Sequence, residues 1–160
     1  MAVLVMFIPT PSHFKISSGI GKSRLELVAF DNALMSAGIS NYNLVKVSSI
    51  LPSGCTQENE VSLKLGSILH TAYGSFTSNI SGQTIASAVS IAIPQNDEIG
   101  IIMEHAGLCR ESEARSIVTL MAEEAMRNHG IPIKHILCSS IETTAEENTF
   151  FTVISAVTMW

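Results

Sequence analysis

The spacing of apolar residues limits the fold of this chain most strongly, because it is helical in two segments and strand-like in short runs elsewhere. Apolar residues recur at three- and four-residue spacing in Ala29–Ala37 and Glu111–His129, which predicts two amphipathic helices. Gly38 and Gly130 follow them and favour helix ends. Other apolar runs are short and predict strands; they are Ala2–Phe7, His13–Ser18, Asn43–Leu51, Gly66–Ser75, Ser87–Ile93, Gly100–Glu104, Ile133–Glu142 and Thr149–Val157. This pattern indicates an α+β fold with helices packed outside sheets.

Composition indicates one domain that associates with copies of itself. The 160 residues fit a single domain, and no internal repeat or linker divides them. Charged residues make up 14% of the chain, against about a quarter in typical soluble domains. A chain with so few charged residues exposes apolar surface when it is alone. We therefore expect this surface to be buried in subunit contacts. The net charge of −5 and the lack of a basic cluster argue against a nucleic-acid partner.

The first residues and the cysteines argue against a membrane-spanning, disulfide-rich or zinc-binding protein. Met1–Ile8 has no basic residue and is too short to span a membrane, so we expect a buried strand and a cytoplasmic protein. Cys55, Cys109 and Cys138 show no paired spacing. We therefore expect neither a disulfide framework nor a zinc site.

The serine pair Ser48–Ser49 is the strongest chemical signal. It lies in the predicted strand Asn43–Leu51, just before Pro52, which brings no N–H donor to a strand ladder. A serine hydroxyl there can attack the preceding carbonyl and convert the amide into an ester. Elimination and hydrolysis then cut the chain and leave a pyruvoyl group, a ketone that serves as the electron sink for amino-acid decarboxylation. The alternative is an ordinary serine pair in a turn, as for Ser17–Ser18 and Ser139–Ser140.

Several ordered motifs resemble one family, the pyruvoyl-dependent arginine decarboxylases. They are Ala29–Leu34, Ala37–Ile39, Asn43–Pro52, Gly66–Gly74, Gly82–Pro94 and Gly100–His105. The amino-terminal stretch and the loop Ser53–Leu63 match less well. The resemblance implies a four-layer αββα sandwich, like that of the pyruvoyl-dependent arginine and histidine decarboxylases. It also implies a homotrimer of cleaved protomers with pockets at the subunit boundaries.

The resemblance assigns roles to single residues. Cleavage between Ser48 and Ser49 would give chains 1–48 and 49–160, with the pyruvoyl group made from Ser49 and no pyridoxal phosphate or metal. Glu104 would be the proton donor; it follows an apolar run, and such surroundings raise the pKa of a carboxyl group. Asp31, on the first helix, would meet the substrate guanidinium. Asn43, five residues before Ser48, would bind substrate or an oxyanion.

Each of these residues also has a plainer interpretation. Glu104 fits a strand-end acid facing water, Asp31 an acid near a helix start, and Asn43 a polar turn residue. His70 and Tyr73, on a predicted central strand, fit core packing as well as a pocket wall. His105 alternates to the face opposite Glu104 and fits a structural role.

The resemblance implies that the chain converts L-arginine to agmatine and CO₂ through a Schiff base on the pyruvoyl group. Glu104→Gln would then spare cleavage and cripple turnover. Three alternatives stay open. The chain acts on another amino acid, or it is an uncleaved, non-catalytic paralogue that binds a small molecule, or it is a self-cleaving amide hydrolase that keeps Ser49 as serine.

Overall fold

The computed structural model describes residues 8–160. The predicted strand Ala2–Phe7 lies outside the described residues. Within them the chain forms nine strands and two helices: β1 (His13–Ser23), α1 (Glu26–Ala37), β2 (Asn43–Lys46), β3 (Ile50–Leu51), β4 (Thr56–Gln57), β5 (Ile68–Ser78), β6 (Thr84–Pro94), β7 (Gly100–Gly107), α2 (Glu111–Asn128), β8 (Ile133–Thr144) and β9 (Phe150–Met159).

The strands form two sheets packed face to face. The five-stranded sheet has the order β2-β5-β9-β1-β4, and the four-stranded sheet has the order β3-β7-β6-β8. Apolar side chains from both sheets fill the space between them; they are Phe14, Leu51, Ala72, Val89, Ile91, Ile102, Val157 and Met159. Helix α1 packs outside the first sheet and α2 outside the second. The predicted four-layer αββα sandwich is therefore confirmed.

Helix α1 lies directly on the backbone of β1. A Cβ atom at Gly19 or Gly21 would overlap the carbonyl oxygens of Ala33 and Ala29, so only glycine permits this approach. The helix ends at Gly38, whose φ of 72° is left-handed, as the sequence predicted. The helix begins three residues before the predicted start. Its first turn was not predicted because Leu27 and Val28 are apolar but exposed, so they do not follow the spacing of the buried face. Asp31 therefore lies in the second turn, away from the helix start.

A chain of buried hydroxyls crosses between the sheets. Ser18 Oγ lies 2.7 Å from both Ser139 Oγ and Ser155 Oγ, and Ser155 Oγ lies 2.8 Å from Ser87 Oγ. These residues belong to β1, β8, β9 and β6. Because each hydroxyl can both donate and accept, every member of this chain has at least one hydroxyl partner.

The largest departure from the sequence prediction concerns Asn43–Leu51. We expected one strand, but the structure has β2 in the five-stranded sheet and β3 in the four-stranded sheet. Strand β4, which the sequence analysis missed, is only two residues long and pairs with β1 in parallel. Such short segments carry no detectable alternation.

Candidate active site

The chain crosses from one sheet to the other at Val47–Ser49. On one side, the amide of Val47 donates to the carbonyl of Thr71 on β5 at 3.2 Å. On the other side, the carbonyl of Ser49 accepts from the amide of Ile102 on β7 at 2.8 Å. The Ser48–Ser49 bond thus lies between two anchored segments and not at a strand end stopped by Pro52. Ser48 is exposed and Ser49 is half-buried.

A tight turn shapes this bond. The amide of Ile50 donates to the carbonyl of Ser48 at 2.8 Å, which closes a three-residue turn centred on Ser49. Ser49 has no positive φ; Asn148 is the one non-glycine residue with a positive φ among residues 8–160. The turn therefore carries no left-handed strain. The turn does place the Ile50 amide on the carbonyl oxygen of Ser48. If a nucleophile attacked that carbonyl, negative charge would develop on this oxygen, and the amide would stabilise it.

Glu104 reaches the same turn from β7. The hydroxyl of Ser49 donates to Oε2 of Glu104 at 3.0 Å. Glu104 is half-buried, and it lies within β7 because that strand continues to Gly107. By strand alternation it shares a face with Ile102, which packs between the sheets, whereas His105 shares a face with Met103, which packs toward α2. A carboxylate on a serine hydroxyl is placed to take its proton.

Asn43 does not contact the serine pair. Its Nδ2 donates to the carbonyl of Gly66 at 2.7 Å, and its backbone amide donates to the carbonyl of Ser67. Its side chain is exposed. Within one chain Asn43 therefore fixes the start of β2 against the loop before β5, and its amide oxygen is left to accept a hydrogen bond from another group.

Asp31 and Ser48 line different cavities. Asp31 is exposed and lines a cleft of about 480 Å³ together with Met35, Tyr42 and Glu60. Ser48 borders a smaller cavity of about 150 Å³, to which Asp31 does not contribute. One chain therefore brings Ser49 and Glu104 together but leaves Asp31 apart from them.

The small cavity beside Ser48 includes a residue that sequence reasoning left undecided. Its walls are Pro11, Val47, Ser48, Ile50, Pro52, His70 and Met159. His70 shares a strand face with Ala72, which packs between the sheets, so alternation along β5 was the signal that pointed to it. Tyr73 lies on the opposite face, against α1.

The thiols do not compete as nucleophiles. Burial raises the pKa of the Cys55 thiol, and it also raises the pKa of Cys109 and Cys138. A protonated thiol is a poor nucleophile. Among residues 8–160 no group of three or more histidine, cysteine, aspartate or glutamate side chains is placed to hold a metal ion. Neither described helix has the length and apolar character required to cross a bilayer.

The fold is similar to that of a solved enzyme structure. A solved structure of pyruvoyl-dependent histidine decarboxylase superposes with a TM-score of 0.52 at 15% sequence identity. The matched region covers 64% of this chain and 54% of that one. At this identity the likeness concerns the fold alone, which this chain shares with that histidine decarboxylase.

The sequence then identifies the family. The family model described as pyruvoyl-dependent arginine decarboxylase matches residues 13–160. The pyruvoyl-dependent arginine decarboxylase of Methanococcus aeolicus is 36% identical over 151 residues, which cover 94% of this chain and 90% of that relative. The enzyme of Methanocaldococcus jannaschii is 34% identical over 88% of this chain and 86% of its own length. The enzyme of Pyrococcus abyssi is 34% identical over 92% and 95%. The chain belongs to the pyruvoyl-dependent arginine decarboxylase family.

Proposed function

We propose that this protein decarboxylates L-arginine to agmatine and CO₂, using a pyruvoyl group formed from Ser49. The observation that carries the proposal is the hydrogen bond between the Ser49 hydroxyl and Glu104 at the crossover between the sheets. This contact supports the proposal, because a carboxylate beside the hydroxyl would activate Ser49 as a nucleophile. A pyruvoyl group there supplies a carbonyl that withdraws electrons as the substrate carboxylate leaves.

Self-cleavage begins at the turn. Glu104 takes the proton of the Ser49 hydroxyl, and Oγ attacks the carbonyl carbon of Ser48. The Ile50 amide stabilises the charge on the carbonyl oxygen. The C–N bond then breaks, and the proton passes to the nitrogen of residue 49, which leaves an ester between Ser48 and Oγ. Completion of the reaction yields chains 1–48 and 49–160.

Glu104 serves again during turnover. Residue 49 stays attached to β7 through its carbonyl and the Ile102 amide, so the carboxyl of Glu104 remains beside it after the cut. A carboxylic acid in that place returns a proton to the α-carbon after CO₂ has left. One side chain therefore handles protons in both reactions.

The substrate site is completed by a second copy of the chain. Asp31 would pair with the guanidinium through two hydrogen bonds, which a neutral side chain does not reproduce. Asp31 lines one cavity of the single chain and Ser48 borders another, so a pocket that holds both Asp31 and residue 49 would be formed by two protomers. Leu27 and Met35, one turn before and after Asp31, are 79% and 60% exposed, as expected of an interface in the free chain. We propose a closed homotrimer, with Asn43 near its shared pocket.

A mass measurement tests this proposal directly. Denatured wild-type protein should resolve into fragments of 48 and 112 residues, the latter being 160 less 48, with the larger fragment blocked at its amino terminus. Ser49→Ala should remain one chain and release no CO₂ from arginine. Wild-type protein that stays intact under all conditions would promote the non-catalytic paralogue, and fragments with a free amino-terminal serine would promote the hydrolase.

Assembly and substrate need two further measurements. Light scattering should give a mass about three times that of the 17.2 kDa protomer. An active monomer would overturn the shared pocket. Release of CO₂ from another amino acid in preference to arginine would overturn the role of Asp31.

A further inference from the structure

His70 lines the cavity beside the backbone that flanks Ser49. It is half-buried on β5, beside the edge strand β2, and its side chain faces the four-stranded sheet. The cavity of about 150 Å³ that it lines also borders Ser48 and Ile50, the two neighbours of Ser49. Among the walls of this cavity, within the described part of the chain, His70 is the one titratable side chain.

Glu104 contacts Ser49 at its hydroxyl and not at the backbone that flanks it. Its carboxylate binds the hydroxyl of Ser49, while the cavity with His70 lies along the backbone that flanks Ser49. Gly74 permits this arrangement, because it lets β5 approach the backbone of β7 at His105, where an added Cβ would lie 3.3 Å from the carbonyl carbon. Glu104 thus contacts residue 49 from one sheet, and His70 lines the cavity beside the neighbours of residue 49 from the other sheet.

Self-cleavage has two proton transfers with different requirements. In the acyl shift, a single base takes the proton from Oγ and returns it to the departing nitrogen, and Glu104 is placed to do both. The later elimination removes the hydrogen from Cα of residue 49. The Cβ–Oγ bond breaks, Ser48 leaves as a carboxylate, and a Cα=Cβ double bond forms. This step needs a base at the backbone and not at the hydroxyl.

We infer that His70 is the base that removes the Cα hydrogen of residue 49 in the elimination step. The inference rests on the proposed cleavage at Ser48–Ser49. A neutral imidazole accepts the proton as the Ser48 carboxylate departs, and imidazole exchanges protons readily near neutral pH. The enamine left on residue 49 becomes an imine, and one water molecule converts it to the ketone with release of ammonia. The cavity has room for that water, whose share of liquid volume is about 30 Å³.

The variant His70→Gln tests the inference, because it should separate the acyl shift from the elimination. The acyl shift should proceed, so an ester between Ser48 and Oγ should accumulate. Hydroxylamine cleaves esters and not amides, and it should release residues 1–48 as a hydroxamate and leave an unmodified serine at position 49. Formation of the pyruvoyl chain should slow by roughly 10²–10⁴-fold, the usual contribution of a placed base. In His70→Ala, added imidazole should restore part of the rate.

His105→Gln is the matched control, because His105 lies on the face of β7 opposite Glu104. It should process at the wild-type rate. Wild-type processing in His70→Gln would overturn the inference and leave the proposed function standing. A variant that is folded yet holds only the intact amide, resistant to hydroxylamine and unaffected by imidazole, would also overturn it. Failure of the wild-type protein to cleave would instead sink the proposed function itself.

Discussion

Ser49 and Glu104 are joined by a 3.0 Å hydrogen bond on the four-stranded side of the crossover, while Ser48 follows the five-stranded side. The Ser48–Ser49 bond is therefore the point where the chain leaves one sheet for the other. A cut there would separate residues that are already held by different sheets. Residue 49 would keep its neighbour Glu104, as the proposed turnover requires.

Glu104→Gln should slow both self-cleavage and turnover. From sequence alone we expected cleavage to survive, but the contact with the Ser49 hydroxyl gives Glu104 a part in the first step as well. Each rate should fall by roughly 10²–10⁴-fold, since glutamine keeps the shape and transfers no proton. Timed mass spectrometry and CO₂ release measure the two rates. Cleavage at the wild-type rate would restrict Glu104 to turnover.

The two fragments should stay together after cleavage. Strand β1 of the smaller fragment pairs with β9 of the larger along ten residue pairs, and β2 pairs with β5 along four. Size-exclusion chromatography should therefore show both fragments in one peak under native conditions and in separate peaks in denaturant. Release of the fragment 1–48 from native protein would mean that these pairings do not survive the cut.

Asp31→Asn should raise KM for arginine and leave cleavage unchanged. Loss of a charged hydrogen bond costs about 1.5–3 kcal/mol. This corresponds to a rise of roughly 10- to 150-fold, at 1.4 kcal/mol for each tenfold. Glu26→Gln on the same helix is the control, because Glu26 does not line the cleft of Asp31. Equal effects of the two variants would point to general charge and not to a specific contact.

Ser155→Ala should destabilise the sandwich. Ser155 is fully buried and links Ser18 to Ser87, so its loss leaves hydroxyls in the interior with a missing partner. The expected cost is about 1–3 kcal/mol. Urea unfolding in a Ser49→Ala background keeps the protein a single chain, and exposed Ser53→Ala is the control. A change no larger than that of the control would show that the hydroxyl chain contributes little.

Glu142→Gln should lower stability at neutral pH and have less effect in acid. The amide of Glu111 at the start of α2 donates to Glu142, and together with Arg110 it holds the pKa of that carboxyl below its usual value. A lowered pKa in the folded state stabilises the protein above the unfolded pKa, and this contribution is lost as pH falls through the folded pKa. The difference in Tm from wild type should shrink over that range. Exposed Glu146→Gln should show no such trend.

The sequence by itself determined the class of fold and the residues of interest. Apolar spacing located both helices, and Gly38 ended α1 as predicted, because local backbone preference suffices for a left-handed helix cap. Within residues 8–160, six of the predicted strands were found, with errors of up to five residues at their ends. The motifs around Ser49 and Glu104 indicated the family, since reactive groups must stand at fixed positions along the chain.

The tertiary structure alone decided how those residues meet. Asn43–Leu51 looks like one strand in sequence, and only the pairing of β2 with β5 and β3 with β7 divides it at the serine pair. The approach of Glu104 to Ser49 spans 55 positions, and no local pattern encodes it. The cavity of His70 is lined by residues far apart in sequence, and the cavity of Asp31 joins helix α1 to the loop at Glu60 and Val61. Local preferences act over a few residues, whereas the packing of two sheets depends on every strand at once.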